Sequence, residues 1–254
     1  MYKAISAEDA VKVIKNNDRV YLHAAAAAPQ ALIKAMTNRH EELRNVEVCH
    51  LHVEGDAPYA NPALKDSFHV NSFFVGPNVR HTLAAGNGSY TPVFLSELPL
   101  LFKKNILPID VALIQVSPPD KHGYCSLGVS VEAVLAAIDN AKHVIAQVNS
   151  KMPRTHGEGI IHISELDTFV EIEEDIHEMI LPISSETENK IGNHIAELID
   201  DGSTLQMGIG VIPNAVLQRL TNHKNLGIHT EMISDGVIDL ILKDVINSNY
   251  KGIN

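Results

Sequence analysis

A continuous apolar run at residues 110–116 constrains the fold of this chain more than any other feature of its sequence. It reads Asp-Val-Ala-Leu-Ile-Gln-Val, which is typical of a strand covered on both faces, and a Ser-Pro-Pro-Asp turn closes it. The apolar residues that follow have helical spacing: Val131, Val134, Leu135 and Ile138. Residues 143–148 form a second apolar run. A strand, a helix and a strand at this spacing predict a βαβ unit and therefore a parallel sheet.

Short strands and helices alternate through the rest of the chain as well. This alternation predicts an α/β fold in which mostly parallel sheets are flanked by helices. Ser6 and Asp9 predict a capping box that opens a helix ending near Asn16. Pro29 suits the first turn of a helix that runs to about Thr37. We predict strands at residues 19–22 and 46–53.

A domain boundary is predicted near residue 183, because the stretch from Lys151 to Pro182 lacks a sustained period and is interpreted as loop and short strands. The predicted domains are 1–183 and 184–254. The second domain opens with a helix whose apolar face comprises Ile191, Ile195, Leu198 and Ile199. Its other predicted elements are strands at 204–207 and 226–230, a helix at 214–221 and a final helix. Two strands make a poor independent sheet, so we expect this domain to be incomplete and the chain to be the front part of something longer.

The composition argues against several classes of protein. The 254 residues include 20 basic and 31 acidic side chains, and the net charge of −11 disfavours nucleic acid or an anionic membrane as the main partner. Cys49 and Cys125 cannot form a disulfide framework, which fits a reducing compartment. No apolar stretch approaches the roughly 20 residues that span a bilayer, and the N-terminus lacks a signal-peptide core. We therefore expect a cytoplasmic globular protein.

The sharpest local signal is a glycine turn between a predicted strand and a predicted helix, at Gly208-Ile209-Gly210. Glycines there let the backbone approach a ligand closely, and the following helix N-terminus offers free amides to negative charge. A tight turn without a ligand explains the same residues. A dinucleotide fingerprint would need a third glycine where this chain has Pro213, although Glu231 lies roughly twenty positions on.

Glu231 is the second signal, because it follows directly on a predicted strand. Its carboxylate should lie at the carboxyl edge of the sheet, where open α/β sheets place ligands. Since Glu231 and the glycine turn follow consecutive strands, both are expected to line one crevice. An ordinary polar residue in a βα loop remains the alternative.

Two other kinds of site compete with this crevice. Alternating His50, His52 and Glu54 would lie on one face of a strand, and a second group could also supply metal ligands: His229, Glu231, Asp235 and Asp239. No HExxH or CxxC spacing supports a metal site. His122 and Cys125 suggest a nucleophile system, but a buried, inert cysteine explains Cys125 more simply.

Five longer motifs lie at residues 73–80, 90–97, 117–128, 208–213 and 227–232. They resemble motifs of the acetyl-CoA hydrolase/transferase family, and specifically of its 4-hydroxybutyrate or butyryl-CoA:acetate CoA-transferase branch. They occur in the family's order and extend through nearly the whole chain. A departure is the run Ala24 to Ala28, where the family tends to carry glycine and serine, so the shape of the substrate pocket is expected to differ.

The resemblance implies two CoA-transferase-type α/β halves with the active site between them. It implies that Glu231 becomes covalently bound to CoA, and that a segment contacts CoA through Gly208, Ile209, Gly210, Val211 and Ile212. Coenzyme A would be substrate and covalent intermediate, with no permanently bound cofactor and no metal. The expected partners are an acyl-CoA, a short-chain carboxylate and further copies of the chain. A Gly-Gly-Gln segment belongs to the family's later half, which a missing C-terminal part or a second chain would supply.

The activity implied is the ping-pong transfer of CoA from a 4-hydroxybutyryl-, butyryl- or acetyl-CoA to an acid such as acetate, through a glutamyl-CoA thioester. Hydrolysis of the acyl-CoA by the same glutamate is the nearby alternative, and exclusion of water decides between them. A metal-dependent hydrolase and a non-catalytic subunit or fragment remain more distant alternatives.

Overall fold

The computed structural model describes residues 3–180 and 182–252 of the chain. The chain divides into two units, Met1–Glu178 and Met179–Asn254. Among the described residues, the longest α-helix has 11 residues, and no helix is both long and apolar enough to cross a membrane.

A parallel sheet of seven strands forms the centre of the first unit. In chain order its strands are β1 (Arg19–Leu22), β2 (Val46–His50), β3 (Phe68–Ser72), β4 (Gly88–Tyr90), β5 (Ile109–Val116), β7 (Ala141–Asn149) and β9 (Thr168–Ile172). In space they lie in the order β4-β3-β2-β1-β5-β7-β9. The chain therefore runs outward from β1 in one direction and then from β5 in the other, which creates a switch point between β1 and β5. Two short strands, β6 (Tyr124–Ser126) and β8 (Ile160–His162), pair antiparallel beside this sheet.

Helices on both faces cover the apolar side chains of this sheet. They are α1 (Ala7–Ala10), α2 (Gln30–Asn38), α3 (Arg80–Ala84), α4 (Leu98–Lys103) and α5 (Val134–Asn140). On one face, Leu32 of α2 packs in a cluster with Val20 and Val111. On the other face, Phe102 of α4 packs in a cluster with Tyr21. The α/β class with a mostly parallel sheet flanked by helices, predicted from the sequence, is confirmed.

Two predicted helices of the first unit have different bounds in the structure. The helix predicted from Ser6 to Asn16 is an α-helix only to Ala10, and a 3-10 turn ends it at Val13. The Ser6 hydroxyl accepts a bond from the Asp9 amide at 3.1 Å, but the Asp9 carboxylate accepts from that hydroxyl instead of completing a capping box. Val131 was predicted to join the stripe of α5, yet it precedes the helix and is 49% exposed.

The second unit contains α6 (Glu186–Ala196), β10 (Thr204–Leu205), α7 (Val211–Leu217), β11 (Gly227–Ile228) and α8 (Gly236–Leu242). Its two strands pair in parallel. A capping box of Ser185 and Glu188 starts α6. The core of this unit includes Leu217, Leu220, Leu226, Val237 and Leu240.

Candidate functional site

The glycine turn connects β10 to α7 in the second unit. Gly210 has φ +119° and ψ −172°, a conformation that is open essentially only to glycine. Gly208 is not required by the backbone or by packing within the protein, because a Cβ built there would meet only Pro213 Cγ at an ordinary 3.8 Å. Gly208 and Ile209 are both exposed, so the backbone of the turn is accessible to a ligand.

Parallel pairing of the two strands brings the segments that follow them together. The His229 amide donates to the Leu205 carbonyl at 2.9 Å. One residue further on, the Thr230 hydroxyl accepts from the Met207 amide at 3.0 Å and donates to the Met207 carbonyl at 2.9 Å. Gly208 and Glu231 directly follow this bonded pair, so the start of the glycine turn lies beside the segment that carries Glu231.

The loop after Glu231 is also attached to α7. The Ser234 hydroxyl donates to Asn214 Oδ1 at 3.0 Å. A Cβ at Gly236 would lie 2.9 Å from Leu217 Cδ1, which shows how closely the start of α8 packs against α7. Residues 231–233 are exposed. The residues on both sides of them are nevertheless anchored to the segments that flank the glycine turn.

This arrangement can perform nucleophilic chemistry on an electrophilic carbonyl. The Glu231 side chain is exposed, so a ligand can reach its carboxylate. The accessible backbone of the turn offers N–H groups of the kind that stabilise a developing oxyanion. Covalent catalysis by a glutamate requires a carboxylate and oxyanion donors, and the adjoining segments at Glu231 and Gly208 contain both kinds of group.

The structure corrects the predicted start of α7. The helix was expected from Asn214, but it begins at Val211, so Val211 and Ile212 lie in its first turn and only residues 206–210 form the connection. Pro213 is tolerated there because the first-turn amides have no intrahelical partner.

The alternative metal ligands of the first unit have separate surroundings. His50 is fully buried, burial lowers its pKa to about 4, and its Nε2 lies 3.0 Å from the Tyr59 hydroxyl. His52 Nε2 instead lies 3.7 Å from Glu54 Oε1, at a partly exposed position. Across the residues for which the structure gives positions, no group of three or more His, Cys, Asp and Glu is arranged to hold a metal ion.

The cysteine of the second alternative is buried. Cys125 has no exposed surface, and burial raises the pKa of its thiol to about 11. A nucleophilic cysteine needs a thiolate, so this environment opposes that role.

A cavity of about 400 Å³ in the first unit was not predicted from the sequence. Its lining includes Ala26 and Ala28 of the alanine run, together with Glu54, Gln115 and Gln147. The available signal was a glutamine within the apolar run of each of two strands, Gln115 in β5 and Gln147 in β7. A buried polar side chain in such a strand has to find a partner, and partners across a sheet are not visible in the sequence.

Buried amides form one wall of this cavity. Gln147 Nε2 donates to Gln115 Oε1 at 2.8 Å. Gln147 Oε1 accepts from the Ala31 and Leu32 amides at 3.1 and 3.3 Å, so a side chain of β7 caps the N-terminus of α2. The Glu54 carboxylate lies near two imidazoles, 3.7 Å from His52 Nε2 and 3.7 Å from His177 Nε2.

Comparison with known proteins gives the chain a family context. Residues 1–182 match the family described as "Acetyl-CoA hydrolase/transferase N-terminal domain". Over 98% of its length the chain is 46% identical to a succinyl-CoA:acetate/propanoyl-CoA:succinate CoA transferase of Fasciola hepatica, and over 99% it is 45% identical to a 4-hydroxybutyrate coenzyme A transferase of Clostridium kluyveri. It spans 52% and 59% of these two relatives.

Solved structures show the same fold. A 4-hydroxybutyrate CoA-transferase of Porphyromonas gingivalis, 41% identical, matches 99% of the chain and 59% of its own with a TM-score of 0.85. RipA of Yersinia pestis, 32% identical, matches 96% of the chain and 59% of its own with a TM-score of 0.88. The CoA-transferase type of α/β fold implied by the sequence resemblance is thereby confirmed.

Proposed function

The chain belongs to the acetyl-CoA hydrolase/transferase family, and on this premise we propose that it carries the nucleophile of a CoA-transferase, Glu231. The reaction moves CoA from an acyl-CoA to a carboxylic acid. One observation carries the proposal: the exposed Glu231 directly follows Thr230, whose hydroxyl is bonded to the residue that precedes the glycine turn. The proposed nucleophile and the backbone N–H groups of the turn therefore belong to adjoining segments, which supports the proposal.

The first half-reaction loads CoA onto the protein. A Glu231 carboxylate oxygen attacks the thioester carbonyl, the carbon–sulfur bond breaks, and a mixed anhydride and CoA thiolate form. The thiolate then attacks the glutamyl carbonyl, which releases the original acid as its carboxylate and leaves a glutamyl-CoA thioester. Backbone N–H groups at Gly208–Gly210 are suited to stabilise the oxyanion of each addition.

The second half-reaction reverses these steps with another acid. The incoming carboxylate attacks the glutamyl thioester, giving a second mixed anhydride and free CoA thiolate. Attack of the thiolate on the acyl carbonyl of that anhydride releases the new acyl-CoA and restores Glu231. A thioester is broken and reformed in each cycle, so the reaction needs neither ATP nor a redox cofactor.

Borohydride trapping tests the covalent intermediate. The protein is incubated with acetyl-CoA or butyryl-CoA and treated with borohydride, which reduces a glutamyl thioester to an alcohol but leaves a free carboxylate unchanged. We expect peptide mass spectrometry to locate the reduced side chain at Glu231. Reduction of Glu231 should depend on acyl-CoA. An excess of free acetate should diminish it, because acetate attacks the glutamyl-CoA thioester and restores the free carboxylate.

Two variants make this test specific. Glu231→Gln should abolish reduction at position 231, because an amide does not attack the thioester. Asp235→Asn changes another exposed carboxylate of the same loop and should leave the labelling of Glu231 intact. Recovery of unmodified Glu231 from protein that turns over acyl-CoA would contradict the mechanism.

The substrates proposed are short-chain acyl-CoAs and carboxylates. The names of the relatives suggest a panel of acetate, butyrate, 4-hydroxybutyrate and succinate as acceptors. Hydrolysis uses the same intermediate with water as acceptor, so release of free CoA without any added acid measures the hydrolase alternative directly. A higher rate with an added acid, accompanied by a new acyl-CoA, supports transfer.

Three expectations from the sequence are retained as proposals. These are the domains 1–183 and 184–254, a homodimer or higher oligomer, and a cytoplasmic location. Two buried, unpaired cysteines, Cys49 and Cys125, support a reducing compartment. Light scattering on the purified protein measures the oligomeric state.

A further inference from the structure

We propose that Thr230 is a positioning residue that holds Glu231 in register with the glycine turn, an inference that rests on the proposed function. Thr230 precedes the nucleophile in the chain, and its hydroxyl points to Met207, the residue before Gly208. The hydroxyl therefore acts through backbone geometry and needs no contact with the substrate.

The Thr230 hydroxyl extends the pairing of the two strands. The paired residues end at Leu205 and Ile228, and the last backbone bond between the strands is from His229 to Leu205. Beyond that point, one hydroxyl accepts from the amide and donates to the carbonyl of the same residue, Met207. A neighbouring strand would pair with the Met207 amide and carbonyl through one backbone C=O and one backbone N–H. The single Thr230 hydroxyl pairs with both because it is both a donor and an acceptor.

This pair of bonds limits how far the nucleophile can drift from the turn. Without them, the hydrogen bonds that flank Glu231 within the described residues would be the one from His229 to Leu205 on one side and the one from Ser234 to Asn214 on the other. The segment between those anchors contains Glu231. Covalent catalysis requires the attacking oxygen and the oxyanion donors to address the same carbonyl, and a misplacement of about 1 Å can cost about 100-fold in rate.

A hydroxyl-specific pair of variants separates positioning from packing. Thr230→Val keeps the branched shape and removes both bonds to Met207, whereas Thr230→Ser keeps the hydroxyl and removes only a methyl group. Thr221→Val, at an exposed position of the same unit, is the matched control. For each variant we would measure hydrogen exchange of the Met207 amide, the rate of borohydride-trappable labelling of Glu231, and the KM for acyl-CoA.

We expect Thr230→Val to accelerate exchange at Met207 and to slow the labelling of Glu231 by about 10- to 100-fold, with a change in KM below about threefold. Thr230→Ser should restore labelling to within about threefold of the wild-type rate, and Thr221→Val should match the wild type. Loss of packing alone would instead affect Thr230→Ser as well, or would raise KM together with the loss in rate.

Three results would overturn the inference. Unchanged exchange of the Met207 amide in Thr230→Val shows that the hydroxyl does not hold this residue, whatever the activity. Faster exchange with wild-type labelling shows that the bonds exist but do not position Glu231. A wild-type protein that turns over acyl-CoA but acquires no label at Glu231 removes the proposed function and this inference with it, which distinguishes that failure from the other two.

Discussion

At the scale of single residues, the first unit contains a histidine that folding keeps neutral. His50, at the end of β2, is fully buried, and burial lowers its pKa to about 4. Its Nε2 faces the Tyr59 hydroxyl, and burial also raises the pKa of that phenol, so Tyr59 stays protonated. Within the described part of the chain, the Nδ1 atom of His50 is buried without a hydrogen-bond partner. An additional proton would therefore find no acceptor beside this ring.

The neutral His50 predicts how stability depends on pH. The pKa of the folded state, about 4, lies below the ordinary value of 6.5, so the unfolded chain binds a proton that the folded chain excludes. The contribution of neutral His50 to the free energy of unfolding is therefore complete above pH 6.5. It is lost as the pH falls from 6.5 toward 4, and the total loss is about 3 kcal/mol. Urea unfolding of the wild type and of His50→Gln across this window should show a shallower pH dependence in the variant. Equal slopes would contradict the prediction.

Some features of the residues near the site follow from sequence and others do not. That Glu231 follows one strand and the glycine turn follows the preceding strand is visible in the order of residues. The predicted strand to residue 230 is too long, because β11 ends at Ile228 and His229 and Thr230 separate it from Glu231. The pairing of Thr230 with Met207 is not, because the two residues are 23 positions apart and threonine has many ordinary roles. The amide of Gln147, which caps an α2 residue 116 positions away, is equally invisible until the sheet is assembled.

At the scale of elements, buried strands were the most predictable parts of the fold. The runs at 110–116 and 143–148 correspond to β5 at Ile109–Val116 and β7 at Ala141–Asn149, because continuous apolar residues suit a strand with two covered faces. Helix faces were less predictable. Leu198 was predicted on the apolar face of α6, yet the helix ends at Ala196 and Leu198 is 82% exposed. Strand β9 lies at a sheet edge within a stretch interpreted as loop and short strands.

The two glycines of the turn should respond differently to the same substitution. Gly210→Ala places a side chain on a backbone at φ +119°, so we expect a loss of about 1–3 kcal/mol in the free energy of unfolding of the second unit. Gly208→Ala meets only an ordinary contact and should stay within about 0.5 kcal/mol of the wild type.

Measurement of unfolding together with the KM for acyl-CoA tests this division of roles. A raised KM in Gly208→Ala, without a loss of stability, is the result expected if CoA approaches the backbone at this glycine. Equal losses of stability in the two variants would contradict the separate assignments.

At the scale of the whole molecule, the sequence predicts two domains, but it does not predict the contacts between distant residues that determine the arrangement of strands and helices within each of them. The switch point requires β1 to pair with β5, and the paired residues Val20 and Val111 are 91 positions apart in the chain. The second unit has its own core around Leu226 and Leu240. A local sequence pattern predicts each strand, but the order of the strands in the sheet depends on which apolar faces pack together.

The division into two units predicts where a protease cuts first. Residues 173–180 and 182–185 form neither helix nor strand, and Ile180 and Ile183 are 91% and 98% exposed. Thermolysin cleaves before large apolar residues, and exposed segments without regular structure are its preferred substrates. We therefore expect the first cut of the native protein within residues 179–183, giving two fragments that correspond to the two units.

Variants of this segment make the prediction specific. Replacing Ile180, Leu181 and Ile183 together by Glu removes the preferred residues and should delay the first cut at least several-fold. Ile106→Glu, a control at another exposed position, should leave the cleavage rate unchanged. One competing site is the exposed Phe94, but the backbone beside it is held by the bonds from Thr91 to Ser72 and from Leu98 to Phe94. A first cut before Phe94 or Leu95, found by mass spectrometry of the fragments, would show that this anchored loop opens more readily than the segment between the units.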